Sequence, residues 1–503
     1  MRIAIGLLAA LVVGVRASAA GQSCESLTGL VLDDTTITAA SIVPAGTYCK
    51  VEGVVEPSNH FEVWLPTSGW NGKYLGVGNG ALGGYINYFG MQPALARGYA
   101  TGGTDNGHQG GLFDASWAAG HPELVVEFGH RSVHTTTVAA KAVVQAFYGV
   151  APSRSYFVGC STGGRQGLME AQRYPEDYDG VVAGAPANPL TQVAVAGNWV
   201  SQVLHDDPAT FIREEQLPLI ADAVVARCDA RDGVADGVVD DPRRCRWNPR
   251  ELRCPRGAST PDSCLTTEQV KALKRIYAGP RTQRGKRVFP GFAPGGEIGS
   301  GSDIGPAGEP SLSGWEGWII GTELSLHHPI QDSLFKYIVF EDPAWDWRDF
   351  DFDRDPRFAT QKAGDVLDAI DPDLSAFRAR GGKIVMYHGW SDPAIPPGAS
   401  IQYYERVRAT MGRRETPDFF RLFMAPGMQH CAGGPGPNTF DAVGALEHWV
   451  EDGTVPDAIV ATHRTAGVVD RTRPLCPYPL VARYDGTGDP SVAASFTCGK
   501  ARR

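Results

Sequence analysis

The sequence lacks a net positive charge, long apolar runs beyond its first 20 residues, and internal repeats. The formal net charge is −10, which argues against a nucleic-acid partner because phosphate binding needs a basic face. Beyond the first 20 residues, no stretch approaches the roughly 18 apolar residues that a membrane span requires. Coiled-coil heptads and a low-complexity tail are also missing. These absences favour an ordinary globular protein with neither nucleic acid nor a membrane as its partner.

The N-terminus has the three parts of a secretory signal. Arg2 supplies a positive charge, residues 3–15 are apolar, and residues 17–20 are small. The sequence therefore predicts a signal peptide over residues 1–20 and a secreted or periplasmic mature chain. An uncleaved anchor is the alternative, but the apolar run is short for a membrane span.

The chain contains ten cysteines. An even number after an export signal indicates disulfide bonds, although sequence alone does not determine their pairing. Cys160 as a buried free thiol is an open alternative. Proximity along the chain favours four pairs and leaves two cysteines for each other: Cys24–Cys49, Cys228–Cys245, Cys254–Cys264, Cys476–Cys498 and then Cys160 with Cys431.

Three blocks differ in their patterning. Residues 21–186 alternate strand-like and helix-like segments, which predicts a parallel α/β sheet. Residues 187–372 contain an Asp-rich loop, a Gly/Pro/Ser-rich stretch and clustered tryptophans. The α/β pattern returns at residues 373–503. We therefore expect one α/β core that is interrupted by a large inserted lid domain.

A nucleophile motif lies between a predicted strand and a predicted helix. Residues 159–163 read Gly-Cys-Ser-Thr-Gly, after an apolar strand at 156–158 and before a helix-compatible segment at 165–173. A Gly-x-Ser-x-Gly turn in this context exposes its serine at the top of an α/β-hydrolase sheet. Ser161 is therefore the expected nucleophile. The alternative is an ordinary Gly-rich strand-to-helix turn.

An acid and a base follow in the chain order that this fold uses. Asp392 follows a strand at 383–388, and His430 follows a strand at 420–424. A turn aspartate and a surface histidine are the respective alternatives. His388 is a rival base, but it lies at a strand end and precedes the acid. We assign His388 to structure or to the pocket lining.

Two further groups of residues complete the expected site. The backbone N–H of Thr162 and one from Gly80 or Ala81 could form an oxyanion hole, although the Gly80 loop could also be a plain β-turn. Aromatic residues could line an acyl pocket, although aromatic side chains are often core residues instead. These aromatic residues are Trp315, Trp318, Phe335, Phe340 and Trp390.

Four segments resemble the tannase and feruloyl esterase family, which also contains the hydrolase of mono(2-hydroxyethyl) terephthalate. The segments are Gly-Cys-Ser-Thr-Gly-Gly-Arg-Gln-Gly at 159–167, Tyr-His-Gly-Trp-Ser-Asp at 387–392, Pro-Gly-Met-Gln-His-Cys-Ala-Gly-Gly-Pro-Gly at 426–436, and Thr-Arg-Pro-Leu-Cys-Pro-Tyr-Pro at 472–479. The resemblance implies a Ser161–Asp392–His430 triad with a Cys160–Cys431 bridge beside it. It also implies a lid inserted between nucleophile and acid.

An acidic loop at residues 228–238 suits a hard cation, because three carboxylates are spaced through a Gly-punctuated turn. The spacing does not match the helix–loop–helix calcium pattern, and a solvated acidic turn is the alternative. The resemblance implies a structural Ca²⁺, in a loop clamped by Cys228–Cys245. Its ligands would be the side chains of Asp229, Asp232 and Asp236 and the carbonyls of Val234 and Val238.

The expected function is hydrolysis of a small ester of an aromatic acid, of the hydroxycinnamic (feruloyl) type, either free or linked to polysaccharide or polyphenol. Galloyl esters are the second candidate. A terephthalate monoester ranks third because residues 314–340 contain no arginine for its free carboxylate. A secreted serine peptidase and a non-catalytic polyphenol or carbohydrate binder are the remaining alternatives.

Overall fold

The structure is a computed structural model that describes residues 21–43, 46–256, 262–298, 305–307, 314–321 and 324–501. The expected signal peptide at residues 1–20 lies outside the described residues. Among the described residues, no helix is both long enough and apolar enough to cross a membrane.

A nine-stranded mixed sheet forms the centre of the molecule, in the strand order β1-β2-β3-β5-β4-β6-β7-β8-β9. The strands are β1 Thr35–Ile42, β2 Tyr48–Val55, β3 Asn59–Pro66, β4 Lys73–Val77, β5 Ala100–Thr104, β6 Arg154–Cys160, β7 Gly180–Gly184, β8 Lys383–Gly389 and β9 Phe420–Ala425. Strands β1, β2, β3 and β5 pair antiparallel in that order. From β5 through β4, β6, β7 and β8 to β9 every pairing is parallel.

Twelve α-helices and two small sheets surround this sheet in the described part of the chain. The helices are α1 Tyr88–Ala96, α2 Pro122–Val126, α3 Ser132–Tyr148, α4 Thr162–Arg173, α5 Leu190–His205, α6 Leu217–Cys228, α7 Thr267–Ala278, α8 His327–Leu334, α9 Asp355–Leu367, α10 Ser375–Ala379, α11 Gly398–Met411 and α12 Ala442–Glu451. One C-terminal hairpin pairs β10 Ile459–Thr465 with β11 Val468–Leu475, and another pairs β12 Val481–Tyr484 with β13 Phe496–Gly499.

The parallel strands are buried on both faces, as their uninterrupted apolar sequences require. In β6, Phe157 packs into the apolar cluster on one face, whereas Tyr156 and Val158 pack into the cluster on the other. This alternation follows from the two-residue period of a strand. Helices cover both clusters. The accessible parts of these strands are therefore the loops at their ends.

Strands β7 and β8 are neighbours in the sheet although residues 185–382 separate them in sequence. Helices α5 to α9 lie in that interval and build an apolar cluster of their own around residues such as Val200, Leu273 and Phe335. We keep the name lid for residues 187–372. The loops after β6, β8 and β9 emerge at the carboxyl edge of the sheet, where ligands bind in open α/β sheets.

Candidate active site

Ser161 occupies the turn between β6 and α4. Its backbone is in an unusual conformation for a non-glycine residue, with φ 61° and ψ −122°. The turn is held by the Ser161 carbonyl, which accepts hydrogen bonds from the N–H groups of Arg165 (3.1 Å) and Ala187 (3.0 Å). This strained turn has the form of a nucleophile elbow.

Glycines flank the turn because backbone segments touch there. A Cβ on Gly159 would lie 2.6 Å from the carbonyl carbon of Gly163. A Cβ on Gly78, in the loop after β4, would lie 2.5 Å from the Gly163 Cα. Both distances are shorter than real contacts allow, so the motif's glycines bring the β4 loop directly against the start of α4.

Asp392 and His430 meet on the loops that follow β8 and β9. The Nδ1 atom of His430 lies 2.8 Å from Oδ2 of Asp392. The other carboxylate oxygen accepts hydrogen bonds from the N–H groups of Ala394 (2.8 Å) and Ile395 (2.9 Å). Burial opposes ionisation of Asp392, but the attraction of His430 and the hydrogen bonds from His388 and His430 hold its pKa well below its usual value. Asp392 is therefore a buried anion that orients His430.

His388 contacts the same carboxylate from the other side. Its Nε2 atom lies 3.1 Å from Oδ2 of Asp392, and its Nδ1 atom lies 2.7 Å from the Ser400 hydroxyl. The side chain is fully buried. His388 thus contacts the expected acid and not Ser161 among the described contacts. The sequence pattern placed it in the pocket region but gave no sign of this contact.

A disulfide joins the nucleophile turn to the histidine loop. Cys160 and Cys431 are bonded, with 5.9 Å between their Cα atoms. Each cysteine is the chain neighbour of an expected catalytic residue, so the bond restrains Ser161 and His430 on the same side of the sheet. The other four expected pairs are also formed: Cys24–Cys49, Cys228–Cys245, Cys254–Cys264 and Cys476–Cys498.

Two backbone N–H groups near Ser161 could stabilise an oxyanion. Thr162 and Ala81 line one cavity together with Ser161, whereas Gly80 is not among the residues that line it. The Thr162 hydroxyl donates to the Ala81 carbonyl at 2.8 Å, and Ala81 has a positive φ of 44°. The side chain of Gln166 supports this loop by accepting from the Asn79 N–H at 2.9 Å. The geometry favours Ala81 over Gly80 as the second donor.

The cavity beside Ser161 is narrow, with a volume of about 50 Å³, and mostly apolar. Trp318 packs its ring against His430, with 5.6 Å between ring centroids, and against His327. The other residues that line the cavity come mainly from the lid: Leu190, Val193, Ala194, Ile330, Gln331 and Leu334, together with Leu82, Ala394 and Ile395.

Gln331 is the polar exception in this wall. Its Nε2 atom donates to the Ser201 hydroxyl at 2.7 Å. Its Oε1 atom is buried and accepts no hydrogen bond from the described residues. This oxygen lies against α5, where a Cβ on Gly197 would be 2.3 Å from it, so it does not open into the cavity.

Of the five aromatic residues that the sequence predicts for the acyl pocket, Trp318 lines this cavity and the other four do not. Phe335 is fully buried and contacts Phe340 within the lid's own core, and Trp315 packs against Tyr277 there. Trp390 lies under the Arg243 guanidinium, in a separate crevice. The reason is that the lid needs a core of its own, which takes up most of its aromatic side chains.

The similarity of the sequence to known proteins agrees with this geometry. A sequence model described as tannase and feruloyl esterase matches residues 43–499. The chain belongs to the tannase and feruloyl esterase family. The expected family is therefore confirmed, and the protein is a carboxylic ester hydrolase, which excludes the non-catalytic binder.

Relatives in this family are named after different substrates. The chain is 39% identical to an uncharacterized esterase of Xanthomonas campestris, covering 99% of this chain and 95% of the relative. It is 36% identical to the mono(2-hydroxyethyl) terephthalate hydrolase of Piscinibacter sakaiensis (91% and 86% covered). It is 32% identical to a probable feruloyl esterase B-2 of Neosartorya fischeri (94% and 90% covered).

Solved structures in the family share the fold. Feruloyl esterase B from Aspergillus oryzae superposes with a TM-score of 0.84 at 29% identity, covering 95% of this chain and 99% of that one. Tannin acyl hydrolase from Aspergillus niger gives 0.76 at 23% identity, with 93% and 92% covered, and bears on the fold alone. The predicted α/β-hydrolase fold is confirmed.

The acidic loop after α6 contains the three carboxylates that the sequence predicts as calcium ligands, Asp229, Asp232 and Asp236. Both carboxylate oxygens of Asp229 turn back into the loop and accept from the N–H groups of Asp236 (3.1 Å) and Gly237 (2.9 Å). Burial, reinforced by the carboxylates of Asp236 and Asp229, raises the pKa of Asp232 to about 6. Arg473 forms an ion pair with Asp236. A hard dication would relieve the repulsion between the carboxylates of this loop.

Proposed function

We propose that this esterase hydrolyses esters of aromatic acids, of the hydroxycinnamic type, with Ser161 as nucleophile, His430 as base and Asp392 as the acid that orients it. The observation that carries the proposal is the convergence of the strained Ser161 turn and the Asp392–His430 hydrogen bond beside the cavity that Trp318 lines.

The proposed mechanism has two steps. His430 takes the hydroxyl proton as Ser161 attacks the ester carbonyl, and the N–H groups of Thr162 and Ala81 stabilise the oxyanion. The alcohol leaves with the proton from His430. Water, deprotonated by His430, then attacks the acyl-enzyme and releases the acid. Asp392 stabilises the imidazolium that forms in each step.

The cavity wall favours an aryl acid without a second, free carboxylate over a terephthalate monoester. The residues that line the cavity are mostly apolar and include no lysine or arginine, so a free carboxylate would have no cationic partner among them. The nearby Asp332 adds negative charge, and Lys336 is already paired with it at 2.8 Å. The names of the feruloyl esterase relatives also support this choice.

A substrate panel tests this proposal. We expect kcat/KM to be highest for methyl ferulate, lower for methyl gallate and a terephthalate monoester, and negligible for a peptide amide. A terephthalate monoester or a peptide amide as the best substrate would contradict the assignment.

The disulfide beside the site is expected to support catalysis as well as stability. Replacing both Cys160 and Cys431 with alanine removes a crosslink over 271 residues, worth about 5 kcal/mol in the chain-entropy description. It also frees the nucleophile and base loops, so kcat is expected to fall by about 10- to 100-fold because misplacement by 1 Å is costly.

The Cys476/Cys498 double alanine variant is the matched control. Its bond closes a separation of 22 residues in the C-terminal hairpin, so it should cost about 3 kcal/mol of stability and leave kcat unchanged. Steady-state kinetics and thermal melting separate the two effects. Equal kcat values in the two double variants would show that the bridge is structural only.

We also propose a structural Ca²⁺ in the acidic loop, held by Asp229, Asp232 and Asp236 and by the carbonyls of Val234 and Val238. Calcium at one hundred times its Kd would add about 2.7 kcal/mol of stability. We therefore expect a calcium chelator to lower the Tm of the wild type and to leave that of Asp232→Asn unaltered. Asp485→Asn is the surface control. A wild-type Tm that does not respond to the chelator would refute the site.

We infer that the mature protein is secreted or periplasmic. Five disulfides persist only in an oxidising compartment, and the N-terminal segment has the composition of an export signal. N-terminal sequencing of protein from the culture medium or periplasm should begin near residue 21. An intact Met1 would contradict this inference.

A further inference from the structure

A second group of chemically active side chains lies behind the nucleophile helix. His134 belongs to α3, Glu170 to the last turn of α4, and Asp177 to the loop between α4 and β7. One nitrogen or oxygen atom from each residue lies within 4.8 Å of the other two. Nδ1 of His134 and Oδ2 of Asp177 are 2.5 Å apart. None of these residues has a part in the proposed ester hydrolysis.

Glu170 is the residue that ordinary packing does not explain. It is only 1% exposed, and neither of its carboxylate oxygens has a hydrogen-bond partner among the described residues. A buried carboxylate without a partner costs several kcal/mol. Lys141 is close, but its ammonium group donates to the backbone carbonyl of Asp177 and not to Glu170. The carboxylate of Glu170 therefore lacks a ligand of opposite charge.

We propose that His134, Glu170 and Asp177 bind a Zn²⁺ ion. One imidazole nitrogen and two carboxylate oxygens are ligands that Zn²⁺ accepts, and three protein ligands leave its fourth tetrahedral position to water. Two carboxylates against one lysine ammonium leave a net negative charge for the dication to neutralise. The His134 side chain is 27% exposed, which provides the route of entry.

Bound zinc would join α3 to the loop that leads into β7, and so would act as a structural clamp. The rival arrangement has no metal. Burial, followed by the Asp177 charge, raises the pKa of Glu170 well above its usual value, so the two carboxyl groups could instead share a proton. If zinc is bound, removal of the Glu170 charge lowers the amount of zinc bound. If the carboxyl groups share a proton instead, the amount of zinc bound does not change, so the two arrangements can be separated.

The experiment titrates Zn²⁺ into the full-length mature protein, stripped with a chelator and reloaded with Ca²⁺, and measures stoichiometry against a colorimetric zinc chelator. We expect Glu170→Gln to bind one equivalent fewer than the wild type, and the exposed Glu176→Gln to match the wild type. Zinc bound at His430 or His388 would be common to all three proteins and would cancel. His134→Ala, at a half-buried surface position, should show the same loss and covers the case in which Glu170→Gln does not fold.

Zinc-soaked crystals provide the second readout, an anomalous peak between the three side chains. Equal stoichiometry in the wild type and both ligand variants, or no peak at this position, would overturn the proposal and leave the shared proton. Hydrolysis of methyl ferulate is measured in parallel. Its presence or absence bears on the proposed function and not on the zinc site.

Discussion

Replacing Ser161 with alanine is expected to lower kcat for methyl ferulate by about 10⁶-fold, the loss seen when the nucleophile of a serine hydrolase triad is removed. The acyl-enzyme cannot form without the hydroxyl. Residual turnover would come only from substrate binding and the oxyanion donors. Labelling by an organophosphate ester should disappear together with hydrolysis.

The fold should survive this change, because the Ser161 turn is held by backbone hydrogen bonds and by the close approach of glycines, and not by its side chain. Ser116→Ala, at an exposed position, is the control and should retain full activity. Hydrolysis by a folded Ser161→Ala protein at more than a small fraction of the wild-type rate would exclude Ser161 as the nucleophile.

The second large effect is expected for Asp392→Asn, which should lower kcat by about 10⁴-fold. The carboxylate keeps the Nδ1 proton of His430 pointing toward it, and so leaves Nε2 free to accept the Ser161 proton. An amide can present its NH₂ group to Nδ1 and stabilise the opposite tautomer. The pH dependence of kcat/KM and circular dichroism would separate lost catalysis from lost structure.

The contact with His388 sharpens this experiment, because the same oxygen of Asp392 lies within 3.1 Å of both histidine rings. His388→Asn should lower kcat by a smaller factor than Asp392→Asn, since it acts only by orienting the acid. Asp365→Asn removes a fully exposed carboxylate and serves as the control. If Asp392→Asn were as active as Asp365→Asn, Asp392 would not be the acid of the triad.

Much of the sheet could be predicted because buried parallel strands are short apolar runs between glycines and turns. The predicted strand at 383–388 is one residue shorter than β8, and the predicted strand at 420–424 is one residue shorter than β9. The expected helix at 165–173 starts three residues earlier in the structure, at Thr162. Its first turn contains Gly163 and Gly164, which have weak helix propensity, and packing rather than propensity determines where the helix begins.

The candidate site also has a part that could be predicted from the sequence and a part that could not. The turn at Ser161 could be predicted because a tight turn imposes glycines at fixed spacing. The proximity of Asp392 and His430 could be predicted because the loops after parallel strands share one edge. Gln331 and Trp318 reach the cavity only through the folding of the lid, and no local pattern distinguishes Trp318 from Trp315, which is buried in the lid's core. Glu170 looks like any polar residue of an amphipathic helix until its burial is known.

The five disulfides differ in when they can form. Four of them join cysteines 10 to 25 residues apart, so local chain motion alone can bring their thiols together. Cys160 and Cys431 are 271 residues apart and meet only after β8 and β9 have added to the sheet beyond the lid. During oxidative refolding this pair should therefore be the last to lose its free thiols. Its oxidation would show that β8 and β9 have joined the sheet and that the residues of the candidate active site have come together.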